Sequence, residues 1–159
     1  MSAPDKFSLG GGDLFEVCSP RDNSGTPTIV SYQMINEDSR TFSGFTGRFV
    51  DTENVSTGPL WVVSAPDARN IPAAFSVAWY QSDPEGKVLW EDKESGDVAV
   101  SRSGDVTAIL VEFSIDDPQR PATANKFRLE FQDEKGTRYQ TESENSYTIV
   151  PDACPAPTS

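Results

Sequence analysis

Hydrophobic residues recur at every second position in short runs parted by turn residues, the signature of strands with one buried face. In 75–91, Phe75, Val77 and Trp79 alternate with Ser76, Ala78 and Tyr80, and Val88 and Trp90 share a register after Asp83-Pro84-Glu85-Gly86. Pro presets a turn φ and Gly accepts a positive one, so this stretch predicts a hairpin. Phe127, Leu129 and Phe131 repeat the scheme, followed by Asp133-Glu134-Lys135-Gly136 and a second extended run through Tyr139. Ile109, Val111, Phe113 and Ile115 line one face of 106–115, the best candidate for a central strand.

Further strands are predicted at 13–18, 28–35, 41–50, 59–63, 74–81, 87–91, 97–101, 126–132, 137–142 and 146–150. Asp22-Asn23-Ser24-Gly25, Asn36 to Ser39, Asp92 to Gly96, Ser103-Gly104-Asp105 and Asp116-Asp117-Pro118 supply turns between them. No window of a dozen residues shows helical spacing together with caps, and Pro66 and Pro72 restrict 65–74 to one helical turn. The pattern predicts an all-β fold: an antiparallel two-sheet β-sandwich of about ten short strands, immunoglobulin-like or jelly-roll. Residues 1–12, with Gly10-Gly11-Gly12, are expected to be an irregular N-terminal segment, 13–150 a single β-sandwich domain, and 151–159 a Pro-rich tail. A chain of 159 residues is long enough to bury about 70% of its unfolded surface in one core.

Composition changes the picture by exclusion. The net charge of −12 repels phosphate backbones and anionic lipid, so nucleic acid is not an expected partner. A solvated acidic surface is the simplest account of that charge. No apolar run reaches the roughly 18 residues of a membrane span, so no membrane insertion is expected. Met1-Ser2-Ala3-Pro4-Asp5 lacks the layout of a signal peptide and reads either as a native start or as an added Met before an exported domain. Cys18 and Cys154 are the two cysteines, each beside a predicted terminal strand. The first and last strands of a sandwich are often neighbours, so a bridge between the two is expected. Closing so long a loop is worth at most about 5 kcal/mol in the chain-entropy description. A disulfide points to an extracellular, cell-surface or virion location; free thiols leave the cytoplasm open.

Chemistry is bounded by an absence: the chain contains no histidine. A Ser-His-Asp or Cys-His nucleophile, a His general base and a His-rich metal site are all excluded. No phosphate-binding Gly loop occurs, and no cofactor is expected. Carboxylate chemistry remains, with Glu112 and Glu130 the two acids flanked by apolar residues. Asp116, Asp117, Asp133 and Glu134 could supply oxygen ligands to calcium, although acids favour turns for their own hydrogen bonds. Asn54-Val55-Ser56 matches a glycosylation sequon that is too short to carry weight alone.

Aromatic residues offer the remaining surface. Trp79 and Trp90 fall in register with core positions, whereas Trp61 and Tyr80 are candidates to stack on a sugar ring. The Phe42-Ser43-Gly44-Phe45-Thr46-Gly47-Arg48-Phe49 run is a candidate edge strand, with Phe42, Phe45 and Phe49 as contacts to a partner's sheet. The expected function is a non-enzymatic binding or assembly module, with a protein partner or self-assembly. A carbohydrate-binding module using exposed aromatics is the alternative, and a carboxylate hydrolase a third.

Overall fold

The computed structural model describes residues 6–9, 16–20, 27–64, 74–103, 105–152 and 154. They contain β1 (Phe7–Leu9), β2 (Glu16–Pro20), β3 (Thr28–Asn36), β4 (Ser43–Glu53), β5 (Val55–Val63), β6 (Ala74–Ser76), α1 (Val77–Ser82), α2 (Pro84–Asp92), β7 (Glu94–Ser95), β8 (Thr107–Ile115), β9 (Ala122–Gln132), β10 (Arg138–Ser143) and β11 (Ser146–Val150). One sheet runs β1-β3-β8-β5-β7, with β6 also paired to β3; the other runs β10-β9-β11-β2, with β4 on the far side of β9. The β1, β3, β8, β5 order is A-B-E-D and the β4, β9, β10–β11 order is C-F-G. Of the two architectures expected, the strands therefore form the immunoglobulin-like one. The pairs are antiparallel except β2 with β11, where Ser146 to Val150 run beside Glu16 to Pro20.

Alternation produces the core. Phe127, Leu129 and Phe131 point inward from β9 and meet Tyr32, Met34, Ile109, Val111 and Phe113 of the facing sheet. Tyr32 stacks on Phe127 with ring centres 4.5 Å apart. Phe7 stacks on Phe131 at 4.4 Å. The segment 1–12 is thus corrected in part: Phe7–Leu9 pair with β3, because a buried Phe7 fills the end of the core. At the other end of the chain, Cys18 and Cys154 are bridged, with Cα atoms 6.1 Å apart. The parallel β2–β11 pair brings these ends together.

The hairpin expected at 75–91 is not present. Ser76 ends β6 and two short helices follow. Asp83-Pro84-Glu85 is a helix start as well as a turn signal, since Pro is pre-organised for the first helical position. Asp83, extended at φ −86° and ψ 124°, separates the helices, and its carbonyl accepts from the Lys87 amide at 2.7 Å. Val88 and Trp90 consequently do not share a face. Val88 is 55% exposed, whereas Trp90 packs toward the sheet. The helices lie over Ile29, Val63, Ala108 and Leu110, on the outer face of the first sheet. Central strand β8 is therefore buried on both faces.

In β4 two glycines answer to different constraints. Gly44, at φ +65°, lies in a bulge between Ser43 and Thr46. At Gly47 a Cβ would clash with the Cζ edge of the Phe127 ring.

Candidate functional site

Each end of the sandwich carries a polar cluster closed on itself. At one end Arg40 Nε and Nη2 donate to Asp38 at 2.8 and 2.9 Å, and Nη1 donates to the Tyr139 hydroxyl at 2.6 Å. That hydroxyl donates to Asp133 Oδ2 at 3.1 Å. Asp133 Oδ1 in turn accepts the Lys135 and Thr137 amides at 2.9 and 3.0 Å. The Arg40 hydrogen bonds hold the Asp38 carboxyl well below the usual carboxylate range. Burial pushes Asp133 up, but the two amides and the Tyr139 hydroxyl outweigh it and the net shift is down. Burial and the bond to Asp133 raise the Tyr139 phenol. Such perturbed groups flag functional sites; here every partner is internal, and the cluster pins the β3–β4 turn to the β9–β10 hairpin.

At the other end Asn54 turns β4 into β5, with φ +61°. Its Nδ2 donates to the carbonyls of Asp117, Arg120 and Pro121 at 2.9, 3.2 and 3.3 Å, and its Oδ1 accepts the Asp117 amide at 2.8 Å. Ser56 Oγ donates to Asp116 at 2.8 Å. The sequon asparagine is thereby engaged in tying two loops. Asp116 and Asp117 stand at one end of β9 and Asp133 and Glu134 at the other, so the structure does not bring the four acids together. Among the described residues no group of three or more His, Cys, Asp or Glu is arranged to hold a metal ion.

Trp61 lies on β5, edge-on to Trp90 at 5.2 Å, with Lys93 Nζ 5.5 Å from its ring centre and 4.1 Å from that of Trp90. It is half-buried and packs against the cluster of Ile29, Val63, Val77, Ala108 and Leu110. Tyr80 is in α1, a helix where a strand was expected; its side chain, like that of Trp79, lies outside the described residues. Glu112 and Glu130 stand on different sheets.

Phe42, Phe45 and Phe49 turn inward and are 0%, 3% and 7% exposed, so they pack the core and are not outward contacts. Strand β4 is an edge, but an intramolecular one. The Phe42 amide and carbonyl bond Val100 at 3.0 and 2.7 Å, the Phe45 amide donates to Gly96 O at 2.7 Å, and the Phe49 amide to Thr57 Oγ1 at 2.9 Å. Chain 96–100 covers the upper part of this edge.

The outer face of β4, β9 and β10 is left open. It presents Thr46, Arg48 and Val50, then Lys126, Arg128, Glu130 and Gln132, then Arg138, Gln140 and Glu142. On a chain of net charge −12, this face carries more cations than acids. Arg48 stands directly opposite Arg128 in the β4–β9 register, although like charges opposed across strands are unfavourable. Arg128 Nη2 is 3.5 Å from Glu142 Oε2, and Arg138 Nη2 is 3.9 Å from Glu130 Oε2. Arg48 makes no ion pair among the described residues, and Arg128 Nε is buried without an acceptor. Thr46, Gly47, Arg48, Arg128 and Glu130 line a half-open groove of about 220 Å³. Sequence reasoning passed over these arginines. Their signal was the polar half of the Phe127–Phe131 alternation, but which strand lies opposite cannot be read from one strand.

No family model matches the chain, and no curated protein matches it in sequence. Solved structures resemble it in fold only. VesB protease of Vibrio cholerae is similar at 12% identity and a TM-score of 0.38, over 92% of this chain and 32% of that one. The PapD-like domain 7 of human CEP192 is similar at 8% identity and 0.42, over 98% and 92%. A family 123 glycoside hydrolase from Clostridium perfringens is similar at 9% and 0.46, over 91% and 27%. The chain thus spans about a third of the protease and about a quarter of the hydrolase.

Proposed function

We propose that this chain is a non-enzymatic immunoglobulin-like module of an exported protein, used for binding or assembly through the outer face of β4, β9 and β10. One observation carries the reading: Arg48 faces Arg128 on an open sheet surface of an otherwise acidic chain. The two polar clusters at the sandwich ends are satisfied internally and serve architecture. The Cys18–Cys154 bridge supports an oxidising compartment. No described helix is long and apolar enough to cross a membrane.

The test compares immobilised wild type with the double variant Arg48→Glu/Arg128→Glu, incubated with the extracellular fraction of the native source. A protein retained by the first and lost by the second is expected. Identical retention on both overturns the reading. Glycan retention that survives the double variant and disappears in Trp61→Ala would replace it with the carbohydrate-binding alternative.

A further inference from the structure

We infer that the Arg48–Arg128 pair is the seat of a single carboxylate side chain, Glu or Asp, presented by a protein partner; this deepens the binding role proposed above and rests on it. Arg48 and Arg128 sit opposite each other in the strand register on one open face, and each guanidinium offers planar donors matched to a carboxylate. Their donors are incompletely used. Glu142 reaches Arg128 from the β10 side at 3.5 Å, and Arg128 Nε has no acceptor among the described residues. An anion entering between the two arginines would relieve the like-charge opposition.

The groove also selects among anions. With a volume of about 220 Å³, it has room for one side chain. Glu130 forms part of its wall. A second negative charge next to the first would meet that carboxylate, and with it the −12 field of the chain. Polyanions such as nucleic acid or sulfated polysaccharide are therefore disfavoured, and an isolated acid among neutral neighbours is favoured. Thr46, exposed beside Arg48, adds a hydroxyl for the partner's backbone.

The probe is the pentapeptide Gly-Ser-Glu-Ser-Gly, with Gly-Ser-Gln-Ser-Gly and inorganic sulfate as controls, titrated into the full chain. The readout is the Nε–H NMR signals of the arginines. Saturable shifts of Arg48 and Arg128 with the Glu peptide are expected. The Gln peptide should give none, and sulfate should bind more weakly. Arg48→Gln should weaken the Glu peptide by at least about tenfold, as loss of a charge-assisted pair implies. Its unfolding midpoint should be unchanged or higher, which separates lost binding from lost folding.

Equal shifts with the Gln peptide overturn the inference. So does sulfate binding as tightly as the Glu peptide with shifts that extend to Arg138, and so does an absence of any shift. If the inference fails in these ways while the double variant still loses a captured partner, the seat is wrong and the binding role stands. Loss of both results overturns the two together.

Discussion

Tyr32 and Tyr147 meet edge-on in the core at 5.4 Å, yet their two buried hydroxyls differ in hydrogen bonding. Tyr147 Oη, from β11, donates to the Ser31 carbonyl of the opposite sheet at 2.6 Å, whereas Tyr32 Oη has no acceptor among the described residues. Burial raises both phenols well above their ordinary range. Removing a satisfied buried hydroxyl costs about 1–2 kcal/mol, while removing an unsatisfied one is neutral or favourable. Tyr147→Phe is expected to lower stability by about that amount and Tyr32→Phe to leave it unchanged or raise it. Urea denaturation of the two variants decides this. Equal losses would contradict it.

The Cys18–Cys154 bridge encloses 136 residues of sequence separation and ties β2 beside β11. Replacing both cysteines by Ser is expected to cost about 2–5 kcal/mol, the usual range for a native bridge. Intact mass without reductant should be about 2 Da below the reduced mass. Thermal unfolding with and without reductant gives the stability half. A variant as stable as the oxidised wild type would mean that β2 is held by its strand pairing alone.

Asn54 combines a left-handed backbone with bonds to three carbonyls and one amide of the facing loop. Asn54→Asp removes the Nδ2 donors and sets a negative charge next to Asp116 and Asp117. A loss of about 1–3 kcal/mol is expected from the lost hydrogen bonds together with the added like charge. Asn54→Gly relieves the backbone and still loses the bonds, so it should fall between wild type and Asn54→Asp. A denaturant series across the three proteins would show whether the side chain or the φ angle is the greater constraint.

Acid stability follows from the Asp38–Arg40–Tyr139–Asp133 cluster. Asp38 and Asp133 titrate below their ordinary values when folded, so the folded chain binds fewer protons than the unfolded one. Their contribution is complete above the unfolded carboxylate pKa of about 3.9 and is lost as pH falls through the folded values. Stability is expected to hold through neutral pH and to decline below about pH 4. Arg40→Gln, which removes the cation of the cluster, should shallow that decline. Urea midpoints at neutral pH and across the acid limb test it, and parallel slopes for the two proteins would contradict it.

The strands at 28–36, 107–115 and 122–132 were legible because each carries an inward apolar face at period two. The stretch after Ser76 was not. Val77, Trp79, Val88 and Trp90 fit a strand register as well as they fit short helices, and Asp83-Pro84 begins a helix as readily as it makes a turn. The deciding contact is distant in sequence. Ala108 and Leu110, on the outer face of β8, need cover, and the helices supply it. The candidate site was hidden for a related reason, since Arg48 and Arg128 become a pair only when β4 docks on β9.

Alternation, turn residues, the absence of histidine and the two terminal cysteines by themselves determined a β-sandwich with no histidine chemistry and an expected closing bridge. Those are local or compositional properties, and local periodicity reports which face of a strand is apolar. Only the tertiary structure decided that the sheets follow immunoglobulin-like order, that 77–92 is helical and that Phe42, Phe45 and Phe49 face inward. It also decided that two arginines confront each other. Register and docking depend on the volume and charge of residues tens of positions apart, which no single strand encodes.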